Sequence, residues 1–409
     1  MKARYQYRIY PTDQQRKELA KVFGCCRVVY NDALALCKKS DKLPSNGDLQ
    51  KVCITQAKKT VARGWLSEVS NIPLQQSIAD LGVAYKNFFD SFKEKRKGIK
   101  VKPPKFKKKD NRQTARFRKG GFSIKKEKVY LAKIGNLKTV WSRSLPAEPS
   151  SVTAIKDRAG RYFLSFVVEV QPTSLPALNP SVGIDLGLKT FAYLSSGEAA
   201  CSPDYSLIER KIRKAQRKLS RRKKTSKRRE LMRLKIATLK AKQADKRKDF
   251  LHKLSTKVVS ENQTIVLEDL NVSGMLKNRC LSRAISQAGW RDFRTMCEAK
   301  SNKFGREFVV ISRWEPTSQI CSDCGYRWGK LDLSVREIVC INCNSRHDRD
   351  GNAARRIEQV GVGHTHDFKW AGRECKTEIS AVPVELSTHQ KYEQLALFDC
   401  LGITAPSGR

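Results

Sequence analysis

The amino-acid sequence predicts an α/β protein built from several domains. A chain of 409 residues is long enough for two to four domains, each with its own core. Apolar residues follow helical spacing in the first hundred residues, and short alternating runs typical of strands come after them. In the second half, short apolar runs that indicate buried strands end in acidic residues. This mixture of elements favours an α/β architecture.

The composition is strongly basic. Lys and Arg number 82 against 40 Asp and Glu, which gives a formal net charge of +42. A charge that large repels itself unless a polyanion neutralises it, and nucleic-acid phosphates are the usual polyanion. A basic membrane-surface protein is the rival interpretation, but the sequence has no apolar run of about 18 residues that could span a bilayer. Because the N-terminus also lacks an apolar secretory segment, we expect a protein of the prokaryotic cytoplasm or nucleoid.

The first hundred residues predict one strand and two long helices. The opening RYQYRIYP alternates like a strand, and Pro11-Thr12 begins a helical stretch that runs to about Lys39. A second helical pattern, residues 74–92, has an apolar face that indicates core packing: Leu74, Ile78, Leu81, Tyr85, Phe88 and Phe89. Polar residues on its other face, such as Gln75, remain available to meet a ligand.

Residues 92–122 form a basic stretch that is broken by Pro103-Pro104. Phe106 and Phe117 lie among its lysines and arginines. The stretch can be a solvated linker. However, aromatic rings that stack on bases beside cations that meet phosphates are what a nucleic-acid groove requires, and we favour binding.

Three later segments indicate strands. From residue 129 to 170, alternating runs separated by Gly and Asp predict a small β-barrel or sheet, and LPALNP then indicates a linker. From Val182, VGIDLGLKTFAYLSSGEAA predicts a strand, a turn and a second strand. TIVLEDL (264–270) predicts a buried strand that ends in acids.

Two basic helices are predicted between these strands. Residues 209–249 contain 20 Lys and Arg against 4 acids, a surplus of 16 positive charges over 41 residues. A narrow apolar stripe predicts an amphipathic helix: Ile208, Ile212, Ala215 and Leu219. Leu231 and Leu234 resume the stripe after Thr225-Ser226, a predicted turn. So few acids are present to pair with these cations that we favour an external phosphate partner over a solvated face.

Four of the 13 cysteines have the spacing of metal ligands. CSDC (321–324) and CINC (340–343) are separated by 15 residues, so that two tight turns can present four thiolates to one structural Zn²⁺. Gly325 follows the first pair, where such a turn needs a positive φ. The candidate zinc ligands are Cys321, Cys324, Cys340 and Cys343. Redox chemistry is the alternative, although a single Cys-x-x-Cys would suffice for it.

Three acids are candidates for a catalytic metal site. Asp185 ends the apolar run VGID, Glu268 ends IVLE, and Asp350 opens a helix of small residues in HDRDGNAARRI. Taken alone, Asp350 can merely cap its helix and Glu268 can be a surface strand end. Together, two strand ends and one helix start can converge on one edge of a sheet, where divalent cations relieve the repulsion between carboxylates. Oxygen ligands favour Mg²⁺ or Mn²⁺, and two such ions support phosphodiester hydrolysis.

These segments in combination resemble the TnpB family of transposon-encoded proteins, which are related to the type V CRISPR effectors. In the second half the resemblance rests on GIDLGLKTFA, IVLEDLNVSGM, ISQAGWRDF, TSQICSDCG and HDRDGNAARRI. YRIYPTDQQ, GCCRVVYNDAL and LQQSIADLGVAYKNFF extend it through the first hundred residues, so that it covers roughly residues 1–360.

The resemblance implies an RNase H-like (RuvC) nuclease domain with a zinc-ribbon insertion. It also implies an N-terminal wedge β-barrel that is interrupted by a helical recognition module. The implied boundaries are 1–10 (first wedge strand), 11–100 (recognition module), 101–178 (wedge β-barrel), 179–317 (nuclease part, with a basic helical hairpin at 207–250), 318–346 (zinc ribbon), 347–362 (final nuclease segment) and 363–409 (a tail with little structure).

By motif match, the resemblance makes Asp185, Glu268 and Asp350 the catalytic carboxylates that hold two Mg²⁺ or Mn²⁺ ions. Gln75, within LQQS, falls where the family contacts a short motif beside its DNA target. The implied activity is that of an RNA-guided DNA endonuclease of an insertion sequence. Its partners would be a guide RNA from the transposon end, with one protein per RNA, and double-stranded target DNA, whose sequence is read by guide pairing.

Two other functions stay open from the sequence. One is an RNA-guided or plain DNA-binding regulator that does not cleave, against which the three intact acids count. The other is a transposase that joins strands itself, for which no separate end-binding module is evident.

Overall fold

The computed structural model describes residues 1–96, 100–332 and 334–363, which fall into two compact units. The first unit comprises Met1–Gln171 and Ile212–Ala241, and the second comprises Pro172–Lys211 and the residues from Lys242 onward. From residue 364 on, the tail for which little structure is predicted lies outside the described residues. Within the described ranges, no helix combines the length and the apolar character that crossing a membrane would require.

The first unit begins with a strand and a group of helices. Strand β1 (Lys2–Ile9) leads into helix α1 (Asp13–Lys39), whose start is fixed by a reciprocal capping box between Thr12 and Gln15. Four short segments follow: α2 (Asn46–Gln50), a π-helical turn (Lys51–Gln56) and two 3-10 turns (Ala57–Lys59 and Gly64–Glu68). Helix α3 (Asn71–Phe92) then packs against α1, and the Ser77 hydroxyl donates a hydrogen bond to the Cys26 carbonyl at 2.7 Å.

Six further strands join β1 in an antiparallel sheet: β2 (Gln113–Arg118), β3 (Phe122–Lys125), β4 (Lys128–Leu131), β5 (Gly135–Val140), β6 (Ser151–Lys156) and β7 (Tyr162–Glu169). The strand order is β2-β6-β7-β1-β5-β4-β3, so that the first strand of the chain lies at the centre of the sheet. Strand β1 pairs with β7 along its full length. The alternating pattern of residues 129–170 predicts the later strands, whereas the central place of β1 depends on pairing across more than 150 residues.

One aromatic residue of the basic stretch is not available to nucleic acid. Strand β2 alternates inward and outward side chains, and Phe117 faces inward with no exposed surface. The expectation that Phe117 stacks on bases is therefore wrong, because this side chain belongs to the core. Phe106 remains 48% exposed, and the Lys38 ammonium lies 4.7 Å from the centre of its ring.

The second unit is built on a five-stranded mixed sheet: β8 (Ser181–Asp185), β9 (Ala192–Leu194), β10 (Ala199–Ala200), β11 (Thr264–Glu268) and β12 (Glu307–Ile311). The strand order is β10-β9-β8-β11-β12. Strands β8, β11 and β12 run parallel, so that their carboxyl ends meet at one edge of the sheet. The second strand predicted in VGIDLGLKTFAYLSSGEAA is a pair of short strands, β9 and β10.

Six helices connect or follow these strands: α4 (Ser206–Ser220), α5 (Lys227–Glu261), α6 (Val272–Met275), α7 (Ser282–Ala288), α8 (Trp290–Phe304) and α9 (Arg349–Val362). A 3-10 turn (Thr317–Gln319) and a two-stranded ribbon, β13 (Glu337–Val339) and β14 (Arg346–Asp348), precede α9. Helices α4 and α5 lie where two basic helices are predicted. On α4, Ile208 and Ile212 are buried as expected, whereas Leu231 on α5 is 67% exposed, so the predicted stripe does not continue there as a buried face.

Candidate active site

Asp185 and Glu268 lie side by side at the carboxyl edge of the second sheet. Asp185 is the last residue of β8, and Glu268 is the last residue of β11. These two strands are parallel neighbours, and Ile184 is paired with Leu267. The next residue on each strand is therefore an acid. The apolar runs before the acids are buried and fix both strand ends, because Val182, Ile184, Ile265 and Leu267 share one core cluster.

Helix α9 brings Asp350 to the same edge because two glycines allow the helix to lie directly on the sheet. A Cβ built on Gly183 of β8 would overlap the Ala354 carbonyl oxygen and the Glu358 amide nitrogen. A Cβ built on Gly361 of α9 would overlap the Val266 side chain of β11. Close backbone approach of this kind is open only to glycine.

The first turn of α9 leaves the Asp350 carboxylate free of a capping role. The N-cap is Asp348, whose side chain accepts a hydrogen bond from the Gly351 amide at 2.8 Å. Asp350 is the second residue of the helix. The simpler explanation that Asp350 caps its own helix is therefore excluded.

The electrostatics of Asp185 connect the three acids. Burial, followed by the charges of Glu268 and Asp350, raises the pKa of Asp185 to about 7. Burial also raises the pKa of Glu268, against a smaller opposite effect from its hydrogen bond with Thr317. Carboxylates in such a setting carry an unfavourable charge that a cation would relieve.

Two side chains that the sequence analysis did not single out hold these carboxylates. The Thr317 hydroxyl donates a hydrogen bond to Glu268 Oε1 at 2.6 Å, and Arg336 Nη1 lies 3.2 Å from Asp350 Oδ2. Thr317 belongs to the 3-10 turn after β12, and Arg336 immediately precedes β13. The TSQICSDCG segment points to Thr317 only by its position before the cysteines, and no sequence spacing signals Arg336.

The three acids offer hard oxygen donors of the kind that divalent cations bind. Asp185, Glu268 and Asp350 offer carboxylate oxygens at a sheet edge, which suits Mg²⁺ or Mn²⁺. Their oxygens do not all lie within 4.8 Å of one another, since among the described residues only four cysteines form such a ligand group. Two of the three carboxylates instead contact Thr317 and Arg336. By their donor chemistry the three carboxylates fit divalent ions, although their oxygens are spread more widely than the sulfurs of the four cysteines.

The cysteine cluster is the second candidate metal centre. The sulfurs of Cys321, Cys324, Cys340 and Cys343 all lie within 4.8 Å of one another. The Cys321–Cys343 and Cys324–Cys340 sulfur distances are 3.7 and 3.5 Å. A tetrahedral zinc site with Zn–S bonds of about 2.3 Å has sulfur–sulfur edges of about 3.8 Å, so this arrangement fits one Zn²⁺.

The turns around the cysteines have the backbone that this arrangement requires. Gly325 has φ of +74° after the first pair, as the sequence predicts, and Asn344 has φ of +62° after the second. Hydrogen bonding with the Ser345 hydroxyl, and then with its backbone amide, lowers the pKa of Cys343 to about 6, which favours its thiolate. His347 is buried, and its Nε2 lies 3.1 Å from Cys321 Sγ, so this imidazole is a local hydrogen-bond partner of the cluster.

The cysteine cluster is attached directly to helix α9. Asn352 Oδ1 accepts a hydrogen bond from the Ser322 amide at 2.8 Å, and Asn352 Nδ2 donates to the Ile320 carbonyl at 2.8 Å. Gln359 Nε2 donates to the Ser322 carbonyl at 2.7 Å. Because Asp350 lies on the same helix, the fold of the cluster contributes to the position of the third carboxylate.

Gln75 lies in the first unit, on helix α3. Its Oε1 is 3.5 Å from Arg118 Nη2 at the end of β2. The same unit contains a cavity of about 290 Å³ whose lining includes Arg4, Lys107 and Arg116. Arg116 pairs with Asp80 at 2.6 Å. The lining of the cavity therefore carries more cations than acids.

Three segments of the chain each match a known protein family or domain. Residues 165–279 match the OrfB_IS605 family, described as "Probable transposase". Residues 1–42 match a helix-turn-helix domain of OrfB_IS605 proteins, and residues 290–357 match a Cas12f1-like TNB domain. In this structure, residues 1–42 contain strand β1 and the single long helix α1 rather than two helices.

Two relatives are similar over most of their length. A protein of Streptomyces pristinaespiralis is 44% identical over 374 residues, which are 88% of this chain and 90% of the relative. A protein of Escherichia coli K12 is 30% identical over 403 residues, which are 91% of this chain and 96% of the relative. Both carry the description "Putative RNA-guided DNA endonuclease". A chain of the Cas12f1-sgRNA-target DNA complex, solved by cryo-EM, gives a TM-score of 0.48 at 16% identity, over 84% of this chain and 81% of that chain.

Proposed function

The chain belongs to the OrfB_IS605, or TnpB, family, and from this premise we propose that it is an RNA-guided DNA endonuclease that hydrolyses phosphodiester bonds with divalent metal ions. The observation that carries the proposal is the state of Asp185. Asp185 is partly buried, and burial together with the charges of Glu268 and Asp350 makes its ionised form costly without bound cations. A protein of net charge +42 that only binds nucleic acid would gain nothing from three carboxylates at one edge of a sheet, because they repel phosphates.

Each of the three carboxylates in the proposed site is carried by a different strand or helix. Asp185 and Glu268 stand on adjacent strand ends, and Asp350 stands on the helix that crosses them. Bound Mg²⁺ or Mn²⁺ would supply an activated water and charge stabilisation for the departing 3′ oxygen. Thr317 fixes the orientation of Glu268 through its hydroxyl. Arg336 lies beside Asp350, where a guanidinium can also contact a phosphate oxygen of the substrate.

The cysteine cluster has a structural role in this proposal. Four sulfurs fill the coordination of one Zn²⁺ and leave no open position for chemistry. Its hydrogen bonds through Asn352 and Gln359 support helix α9 and thereby Asp350. The ion would stabilise the site and take no part in hydrolysis.

The partners follow from charge and from the relatives. The two bacterial relatives are described as RNA-guided DNA endonucleases, and we propose the same partners here: a guide RNA from the transposon end and double-stranded DNA. Guide pairing would read the target sequence, while the protein reads duplex shape and a short adjacent motif. We place contact with that motif at Gln75, which lies on α3 beside Arg118.

The decisive experiment begins with the RNA that co-purifies with the full-length protein. Sequencing it should give one species from a transposon end, and its guide segment defines the DNA target to assay. Duplex carrying that target should be cut in Mg²⁺ by the wild-type complex. Asp185→Asn and Glu268→Gln should abolish cutting and retain target binding, while the exposed Asp249→Asn should cut normally. Random cellular RNA, or unchanged cutting by Asp185→Asn, would contradict the proposal.

A further inference from the structure

Trp314 is the most exposed tryptophan in the part of the chain that the structure describes. Its side chain is 86% exposed, whereas Trp290 is 3% exposed in the core of the same unit. A large aromatic ring that is exposed to water lacks the stabilisation that burial would provide, which is about 25 cal/mol for each Å² of apolar surface removed from water. Exposed large apolar side chains that are held in place often mark binding surfaces.

The loop that carries Trp314 is fixed at both ends to the carboxylate edge. Strand β12 is paired with β11 up to Ile311 opposite Glu268, and the Ile311 carbonyl accepts a hydrogen bond from the Asp269 amide at 3.1 Å. At the other end of the loop, Thr317 donates to Glu268 at 2.6 Å. Residues 312–316 therefore form a short span across the end of the strand that bears Glu268.

The loop is ordered by its own hydrogen bonds. The Trp314 amide donates to Ser312 Oγ at 3.3 Å, and the Glu315 amide donates to the Ser312 carbonyl at 3.2 Å. The Thr317 amide donates to the Glu315 carbonyl at 2.9 Å. The ring is therefore presented on a formed turn, so that little ordering entropy remains to be lost on binding.

Two guanidinium groups lie beside the loop. Arg294 Nη1 is 2.6 Å from Asp269 Oδ1, and Arg313 contacts the other oxygen of the same carboxylate. Both arginines pair with the same aspartate, and Arg313 directly precedes the exposed ring in the chain while Glu315 follows it. An aromatic face beside cations is the arrangement that binds single-stranded nucleic acid, because a base stacks while the phosphate meets the cation.

We propose that Trp314 is a stacking platform for an unpaired base of the DNA strand that enters the carboxylate site. The occupant is a single DNA strand, since a base within a duplex has no free face to stack. Trp314 acts as a positioning residue: it fixes the strand so that a neighbouring phosphodiester lies at Asp185, Glu268 and Asp350. This role rests on the proposed nuclease function and identifies a residue that holds the DNA substrate at the site.

The test compares three variants of Trp314 in the full-length protein–RNA complex. Trp314→Ala should slow single-turnover cleavage by about 5- to 140-fold, the equivalent of 1–3 kcal/mol per stacked base. Trp314→Phe, which keeps an aromatic face, should recover most of the rate, and Trp314→Leu should not. Binding of the target duplex should be unchanged in all three. Tyr130→Ala, which removes a 41% exposed aromatic ring of β4 in the first unit, is the control.

A second readout does not require cleavage. A short single-stranded DNA that contains 2-aminopurine is added with Ca²⁺ in place of Mg²⁺, and stacking on Trp314 should quench its fluorescence. Quenching that is lost in Trp314→Ala and kept in Trp314→Phe would support stacking on Trp314, whether or not the wild-type complex cuts DNA. A wild-type complex that cuts no DNA would contradict the nuclease proposal alone. Equal quenching by wild type and Trp314→Leu, or full cleavage by Trp314→Ala, would overturn the platform.

Discussion

At the scale of single residues, Asp185 gives the fold a specific dependence on pH. Its pKa is about 7 in the folded protein and about 3.9 in an unfolded chain. Between these values the folded state keeps a proton that the unfolded state has lost. The free energy of unfolding of the metal-free protein should therefore fall as pH rises from about 4 to about 7, and this contribution should be constant above that range.

Asp185→Asn removes this titration and keeps the shape of the side chain. Without added Mg²⁺, we expect the variant to unfold at a higher temperature than wild type at pH 8, and the difference should shrink as pH is lowered to 5. Added Mg²⁺ should stabilise the wild type and not the variant. Calorimetry at several pH values measures both effects. A constant difference across this pH range would show that Asp185 is not held in a protonated state.

Thr317 makes a separate residue-scale prediction. Its hydroxyl is buried and donates to Glu268 at 2.6 Å, so it should orient that carboxylate for a metal ion. Outer-shell partners of metal ligands are typically worth about 10- to 100-fold in metal affinity or activity. We expect Thr317→Val to raise the Mg²⁺ concentration needed for half-maximal cleavage by about that factor. Thr317→Ser keeps the hydroxyl and should behave as wild type, so a Ser variant as weak as Val would contradict this role.

At the scale of elements, the contact between β8 and α9 depends on one glycine. A Cβ at Gly183 would overlap backbone atoms of Ala354 and Glu358, which cannot rotate away as a side chain can. Gly183→Ala should therefore push the helix outward and cost about 1–3 kcal/mol, as overpacking of a core does. Chemical denaturation should register this loss. Gly351→Ala on the same helix, where a Cβ would be in ordinary contact at 3.5 Å, should be neutral or slightly stabilising.

The cysteine cluster is the second element with a testable role. If its four sulfurs hold zinc, the purified protein should contain one Zn²⁺ per chain, and Cys321→Ser should lose the metal and much of the folded yield. The exposed Cys201→Ser is the control and should keep both. A Cys321→Ser protein that folds in normal yield and loses only cleavage would mean that the cluster acts in the chemistry rather than in the fold.

The elements also show which features of the structure can be predicted from the sequence and which cannot. The strand ends at Asp185 and Glu268, the helix start at Asp350 and the four-cysteine spacing are local patterns, and each is visible in a few residues. Arg336 at Asp350, Thr317 at Glu268 and the overlap at Gly183 are contacts between distant segments, which no local period encodes. The prediction that Phe117 stacks on bases is wrong for the same reason, because a basic sequence context does not reveal that the side chain faces a core.

At the scale of the whole molecule, the excess of positive charge should govern the salt dependence of RNA binding. Each phosphate that is neutralised contributes about −0.7 to the slope of log K against log salt for single strands, and about −0.9 for duplex. The turn between α4 and α5 contributes four exposed cations to this field: Arg221, Arg222, Lys223 and Lys224. If they contact the phosphates of the guide RNA, replacing all four with Gln should make the slope shallower by about 3.

The control for this change is a second set of four exposed cations on the sheet of the first unit: Lys125, Lys126, Lys128 and Lys138. Both quadruple variants lose the same net charge, so a purely diffuse field would change both slopes equally. Direct contact at the α4–α5 turn predicts a larger change there than at the sheet. Filter binding of the co-purified RNA across a salt series distinguishes the two. Equal changes in slope for the two variants would mean that the basic helices attract RNA only through the total charge of the protein and that this turn makes no direct contact with it.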